Sequence, residues 1–215
     1  VWLTVPLPTA AQDSADSAAR CAAGAKRGDV AACQRAAEEN PDDVAVRRNL
    51  ARSLIAVGNF EESINVYRGL AREHPEDAEA HFDLAGTLGF VRLYAEAIPA
   101  IEDAIRLRPD HEPYHRLAAL LYAHMGRLAD AARETLASAE MGEITSMYDL
   151  VRYYRDGIGV ARDPARALAW ARRAAEAGHV AAMGLMARVY AEGLFGERPD
   201  EKQAADWAAR QRAAR

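Results

Sequence analysis

The chain has 215 residues, of which 50% are hydrophobic and 27% charged, with a formal net charge of −5. That length fits one domain or two. The composition excludes wholesale disorder, and the acidic balance argues against a surface that grips phosphate backbones, so no nucleic-acid partner is expected. No apolar run approaches the roughly 18 residues of a membrane-spanning helix, so no transmembrane helix is expected. Alanine supplies 49 residues. It is the best helix former, and its small side chain lets helices approach closely. The chain is therefore predicted all-α, built from many short, tightly packed helices.

Residues 1–12 open with an apolar run broken by Pro6 and Pro8, then small residues. Two readings stand: the remnant of a secretory signal cut after Ala11, or an extended arm in which Trp2, Leu3 and Val5 dock on a neighbour. Residues 13–41 read as a short helical hairpin. Lys26-Arg27-Gly28-Asp29 has the form of a helix stop and restart, with a cationic last turn, a glycine cap and an aspartate N-cap. Cys21 and Cys33, the only cysteines, flank that turn at about six residues each. Antiparallel helices bring them level, so a disulfide is geometrically reasonable. The alternative is two buried thiols acting as small hydrophobes.

Residues 42–143 carry an internal period. Pro41, Pro75 and Pro109 are spaced by 34 residues, as are Leu50 and Leu84, Ala51 and Ala85, Leu54 and Leu88, and Phe60 and Tyr94. Gly126 follows Gly58 by two periods, with Arg92 standing at the intervening position. Leu50, Ala51 and Leu54 make the inner stripe of one helix, Gly58-Asn59 a turn, and Ser63, Tyr67 and Leu70 the stripe of the next. One hairpin cannot bury both faces, so neighbours must stack. These residues resemble the tetratricopeptide repeat, with copies at 42–75, 76–109 and 110–143.

From Ile144 the period lengthens. Tyr154, Gly157 and Ala169 recur 36 residues later as Tyr190, Gly193 and Ala205, and Trp170 recurs as Trp207, one residue out of step. Gly193-Leu194-Phe195-Gly196 replaces Gly157-Ile158-Gly159-Val160 in the second copy. The pattern over 144–200 resembles the Sel1-like repeat, a tetratricopeptide relative with a longer glycine-bearing turn. The charged segment 201–215 reads as a capping helix. The two resemblances imply a right-handed superhelical solenoid of helical hairpins. The change of repeat near Met141-Gly142-Glu143 is the place where a hinge is expected.

No catalytic, cofactor or metal site is expected. His111 and His115 are four apart, but no third ligand has helical spacing to them. No phosphate loop and no serine-nucleophile motif is present. His81 and His124 read as helix-surface or groove residues, Trp170 and Trp207 as packing anchors, and of Tyr153 and Tyr154 one as core and one as partly exposed. If first helices line a concave face, the candidate groove comprises Arg48, Asn49 and Arg52, then Phe82, Asp83 and Phe90, then Arg116, Leu120 and His124. Arginines and aromatics are the side chains that become binding anchors, so the groove suits an extended segment with acidic and apolar side chains.

The resemblance implies a non-enzymatic protein-interaction scaffold whose partner is a peptide segment or a subunit of a membrane complex. An exported, periplasmic location accords with the N-terminal stretch and the cysteine pair, and a cytoplasmic adaptor is the alternative. Sel1-like families also include periplasmic regulators of sensor kinases and accessory factors of polysaccharide export. Cell-wall hydrolases have been proposed among relatives with a disulfide in every repeat, whereas the cysteine pair here lies outside the Sel1-like part.

Overall fold

The computed structural model describes residues 10–214, with side chains from residue 15 onward. Trp2, Leu3 and Val5 lie outside the described residues. Among the described residues the regular elements are all helical. They are α1 (Ala10–Gly24), α2 (Val30–Glu39), α3 (Val44–Ala56), α4 (Phe60–Glu73), α5 (Ala78–Phe90) and α6 (Tyr94–Leu107), then α7 (Glu112–His124), α8 (Leu128–Glu140), α9 (Ile144–Asp156), α10 (Pro164–Glu176), α11 (Val180–Glu192) and α12 (Glu201–Ala213). The helices pack as six consecutive hairpins in two compact units, one ending at Leu107 and the other starting at Arg108. The loop Met141–Glu143 lies inside the second unit, where Glu143 caps α9 by accepting from the Ser146 backbone N–H.

Side-chain caps set where helices start. Asp43 accepts from the backbone N–H groups of Ala45 and Val46, and Asp77, one period later, from those of Glu79 and Ala80. Asp29, Asn59, Asp163 and Asp200 cap α2, α4, α10 and α12 in the same way. Each such cap satisfies an orphan donor and contributes about 1 kcal/mol. The short turns that end the first helices need one left-handed residue. Gly58 (φ 80°) and Gly126 (φ 71°) supply it without steric cost, and Arg92 adopts the same conformation (φ 65°) despite its Cβ.

In the first unit the packing is small against large. Ala51 and Ala85 are fully buried at the helix crossings, beside Leu54, Leu70, Leu88, Ile101 and Tyr67. Ser63 donates to the Ala51 carbonyl at 3.0 Å, so its buried hydroxyl is satisfied where α4 meets α3. Truncating a core position such as Leu54 to alanine costs about 2–5 kcal/mol. In the first hairpin Cys21 and Cys33 are fully buried and joined as a disulfide, with Cα atoms 4.5 Å apart.

In the second unit Leu150 and Met186 are fully buried in one core cluster that also takes in Trp170 and Trp207. Both tryptophans are buried, and each is covered by the arginine three residues on, Arg173 at 4.2 Å and Arg210 at 4.6 Å from the ring centre. Tyr153 and Tyr154 are both buried, contrary to the expectation that one is exposed. The long loop after α9 folds back over them. The Asp163 N–H donates to the Tyr154 carbonyl at 2.7 Å, and the equivalent Asp200 N–H to the Tyr190 carbonyl at 2.7 Å.

That loop also carries Gly159 (φ 69°) against the start of α8. A Cβ at this position falls 2.0 Å from the Leu128 carbonyl oxygen, a backbone-to-backbone approach that only glycine permits. Segment 201–213 is the second helix of a hairpin with α11, packed along it and anchored by the buried Trp207.

Candidate functional site

Arg48 and Arg52 lie one turn apart on α3 and therefore share a face. Across from them stands α5. Arg48 Nη2 lies 2.8 Å from Asp77 Oδ2, its Nε 3.1 Å from Asp83 Oδ2, and Arg52 Nη2 3.8 Å from that same oxygen. The groove arginines thus find carboxylates of the next repeat. Burial pushes the Asp83 carboxyl up to about 6 while the two arginines pull the other way. Burial likewise raises the Tyr67 phenol behind them, with Asp83 adding to the effect. Asp83 Oδ2 and Arg48 Nε touch as ions but have no hydrogen-bond partner, so the cluster is costly to dehydrate and its charge is largely internally balanced.

Asn49 and Phe82 are half-buried on the same pair of helices. Phe90 is 72% exposed at the last position of α5, and its ring sits 5.0 Å from Phe60 at the start of α4. It therefore belongs to an apolar turn edge with Val91 and Leu93 rather than to the charged face. Phe60, Val91 and Leu93 line a pocket of about 330 Å³ with Glu61, Ile64, Asn65 and Arg68. In the second unit Arg116, Leu120 and His124 follow at four-residue spacing along α7 and all are exposed, with Arg116 3.6 Å from Glu112.

Two histidines carry a signal the sequence reading missed. His81 and His115 are one period apart, and both are buried. The Nε2 of His81 lies 3.1 Å from the Pro75 carbonyl and that of His115 2.7 Å from the Pro109 carbonyl. Each ring ties its helix to the proline turn that precedes it, which corrects the surface assignment of His81. His115 Nδ1 also lies 2.7 Å from Glu134 Oε2. The hydrogen bond to Glu134 raises the His115 pKa against the opposing effect of burial. Glu134 is held below the usual carboxylate range, because the bonds from His115 and Arg133 together outweigh its own burial. His111 packs against Tyr114 with the rings tilted by 58° and their centres 4.2 Å apart. No group of three metal-ligating side chains occurs among the described residues.

A second concave surface lies in the second unit, between α9 and α11. One pocket of about 750 Å³ is lined by Arg152, Arg155 and Arg188 together with Tyr148 and Asp149, and Gln211 from α12 closes one side. An adjoining pocket of about 540 Å³ shares Arg155, Leu185 and Arg188 and adds Arg162, Leu194 and Phe195. Arg155 is paired with Asp156 and Arg188 with Glu192. Arg152 and Arg162 are in no ion pair among the described residues.

Tetratricopeptide-repeat profiles match residues 23–88 and 90–144, and Sel1-repeat profiles match 144–179 and 180–210. The chain belongs to the tetratricopeptide-repeat proteins, with Sel1 repeats in its C-terminal part. Among solved structures this repeat protein is similar to a Sel1 repeat protein from Oxalobacter formigenes, at 21% identity over 94% of this chain and 88% of that one, with a TM-score of 0.60. It is also similar to MamA from Desulfovibrio magneticus RS-1, at 15% identity over 80% of this chain and 95% of that one, with a TM-score of 0.63. At these identities the likeness shows the fold, an all-α solenoid of helical hairpins. A curated relative is the inactive TPR repeat-containing thioredoxin TTL3 of Arabidopsis thaliana, 26% identical over 114 residues. The match takes in 53% of this chain and only 16% of that relative's length. No helix among the described residues is long and apolar enough to cross a membrane.

Proposed function

We propose that this repeat protein is a non-enzymatic scaffold that holds a protein partner against the first helices of its hairpins. The observation that carries the reading is the α3/α5 face. Asn49, Arg52 and Phe82 project from it without belonging to the buried core, and hydrogen-bonding, cationic and aromatic groups side by side suit an extended peptide segment. On α7 of the second unit, Arg116, Leu120 and His124 offer the same mixture. The finer proposal is an accessory or assembly subunit of a bacterial envelope complex. The Cys21–Cys33 disulfide supports that location, since such bonds persist in oxidising compartments such as the periplasm.

The test is a native pull-down from the source cells with identification of co-purifying proteins, repeated with Asn49→Ala/Arg52→Ala. Arg48 is left unchanged because its reversal would set a carboxylate against Asp77 and Asp83 and confuse folding with binding. A stoichiometric partner that falls at least tenfold in the variant, with an unchanged melting curve, supports the assignment. Full retention of the partner removes the α3/α5 face from the interface. Thiol titration of the native protein checks the compartment: two free thiols point to a reducing one.

A further inference from the structure

We infer that the Sel1 part carries its own binding site, separate from the α3/α5 face, for an acidic segment bearing one bulky apolar side chain. Three features lead there. The first is charge. In the first unit Arg48 is held by both Asp77 and Asp83, and Arg52 stands beside Asp83 with about half of its side chain exposed. Among the arginines that line the two pockets of the second unit, Arg152 and Arg162 form no ion pair among the described residues, with Asp149 and Asp156 acting on them only at longer range, and Arg155 and Arg188 keep 49% and 64% of their side-chain surface exposed while paired. Uncompensated arginine on a concave wall selects carboxylates, which it binds through paired N–H donors. Asp149, the one carboxylate among the lining residues, lies on the wall with Arg152; burial raises its pKa while Arg152 pulls the other way, so the arginines of the two pockets outnumber it four to one.

The second feature is the floor. The pocket that adds Arg162 is bounded by Leu185, Leu194 and Phe195, with room of about 540 Å³, enough for a leucine or phenylalanine side chain. The basic residues stand beside this apolar recess, so one short segment meets both.

The third feature is strain. Phe195 falls where Gly159 stands one Sel1 period earlier, and it keeps the left-handed backbone conformation, φ 56° against 69°. A bulky side chain in that region carries a conformational cost. Glycine would hold the turn more cheaply, as it does at 159. Phenylalanine packs against the core cluster of the second unit and presents an aromatic wall to the recess. The chain's overall negative charge makes a nucleic acid a poor occupant, and an acidic protein segment is the one the recess and arginines fit together.

The experiment is selection of a random 12-residue peptide phage library on the full chain. The same selection is run on Arg152→Glu/Arg162→Glu, on Phe195→Gly, and on Asn49→Ala/Arg52→Ala. All substituted positions are exposed or half-buried, and circular dichroism confirms that helicity is kept. The expected result is enrichment of peptides with two or more acids flanking a leucine or phenylalanine. Their dissociation constants should rise at least tenfold on Arg152→Glu/Arg162→Glu and at least threefold on Phe195→Gly, with no change on the α3/α5 variant. Enriched peptides without that pattern, or affinity unmoved by Arg152→Glu/Arg162→Glu, overturn the inference. So does binding of heparin or single-stranded DNA at this groove without acidic-peptide enrichment. Loss confined to the α3/α5 variant also overturns it, while leaving the scaffold reading intact.

Discussion

Replacing Arg92 by glycine should stabilise the first unit. Three turns at a 34-residue spacing use one left-handed residue, and two of them use glycine: Gly58 at φ 80°, Arg92 at φ 65° and Gly126 at φ 71°. An L-residue in that region costs about 1–2 kcal/mol through the clash of its Cβ with the carbonyl. Glycine removes that cost but gains about 0.5–1 kcal/mol of unfolded-state entropy. The Arg92 side chain is exposed and its backbone N–H donates to the Gly89 carbonyl, a bond glycine keeps, so little contact energy is lost. The net gain is about 0.5–1 kcal/mol, which raises the melting temperature of a unit this size by about 2–6 °C. The reverse change, Gly58→Ala, should cost about 1 kcal/mol, because the space around its Cβ is empty and only the backbone strain remains. Urea and thermal unfolding followed by far-ultraviolet circular dichroism measure both variants. An Arg92→Gly chain no more stable than the parent, together with a neutral Gly58→Ala, would refute the argument from backbone strain.

Three further outcomes follow from the packing. Both ring nitrogens of His115 face oxygen acceptors, so the ring is held doubly protonated. Its folded pKa is raised, so the stability it supplies is complete below the unfolded value near 6.5 and is lost as pH rises through the folded value. Glu134, with a lowered pKa, loses its share only as pH falls below about 4.5. Glu134→Gln should therefore cost about 1–2 kcal/mol at pH 6 and flatten the decline above pH 6.5, read from urea midpoints across pH 4–9. Cys21→Ala/Cys33→Ala, or reduction of the native bond, opens a loop with a sequence separation of 12 and should lower first-unit stability by about 3 kcal/mol; an unchanged midpoint with reductant would count against it. Gly159→Ala should cost about 3 kcal/mol because its Cβ meets backbone at 2.0 Å, while Gly126→Ala, with nothing within 4 Å, costs about 1 kcal/mol; equal costs would contradict the close approach.

The hairpin order was legible because it rests on one-dimensional signals. Prolines and leucines recur at 34 residues, the glycine turn lengthens after Ile144, and aspartates stand at helix starts. Arg92 could be marked as a departure from the turn pattern on spacing alone. The binding faces were harder. Arg48 and Arg52 are on the expected helix, yet their meeting with Asp77 and Asp83 depends on how α3 sits on α5, which no spacing within one helix reveals. Phe90 turns toward Phe60 because it is the last residue of its helix, where the side chain swings past the groove. The Sel1 groove combines residues from a loop, two first helices and the final helix. The 34-residue recurrence of His81 and His115, six after Pro75 and Pro109, was available and marks a buried tie rather than a surface group.

The approach of Gly159 to Leu128 bears on whether these hairpins are interchangeable. Hairpins that meet only through helix faces can be shuffled or inserted, since any neighbour with a matching stripe will do. Here one hairpin's loop rests on the main chain of the hairpin before it, so the two form a matched pair with a direction. Moving 144–176 behind a different hairpin keeps its glycine but gives it no helix start to rest on. A short-turned hairpin substituted in its place leaves the first turn of α8 bare to water. The junction between the two repeat types thus acts as a keyed joint, and recombination of the array should be tolerated on either side of it before it is tolerated across it.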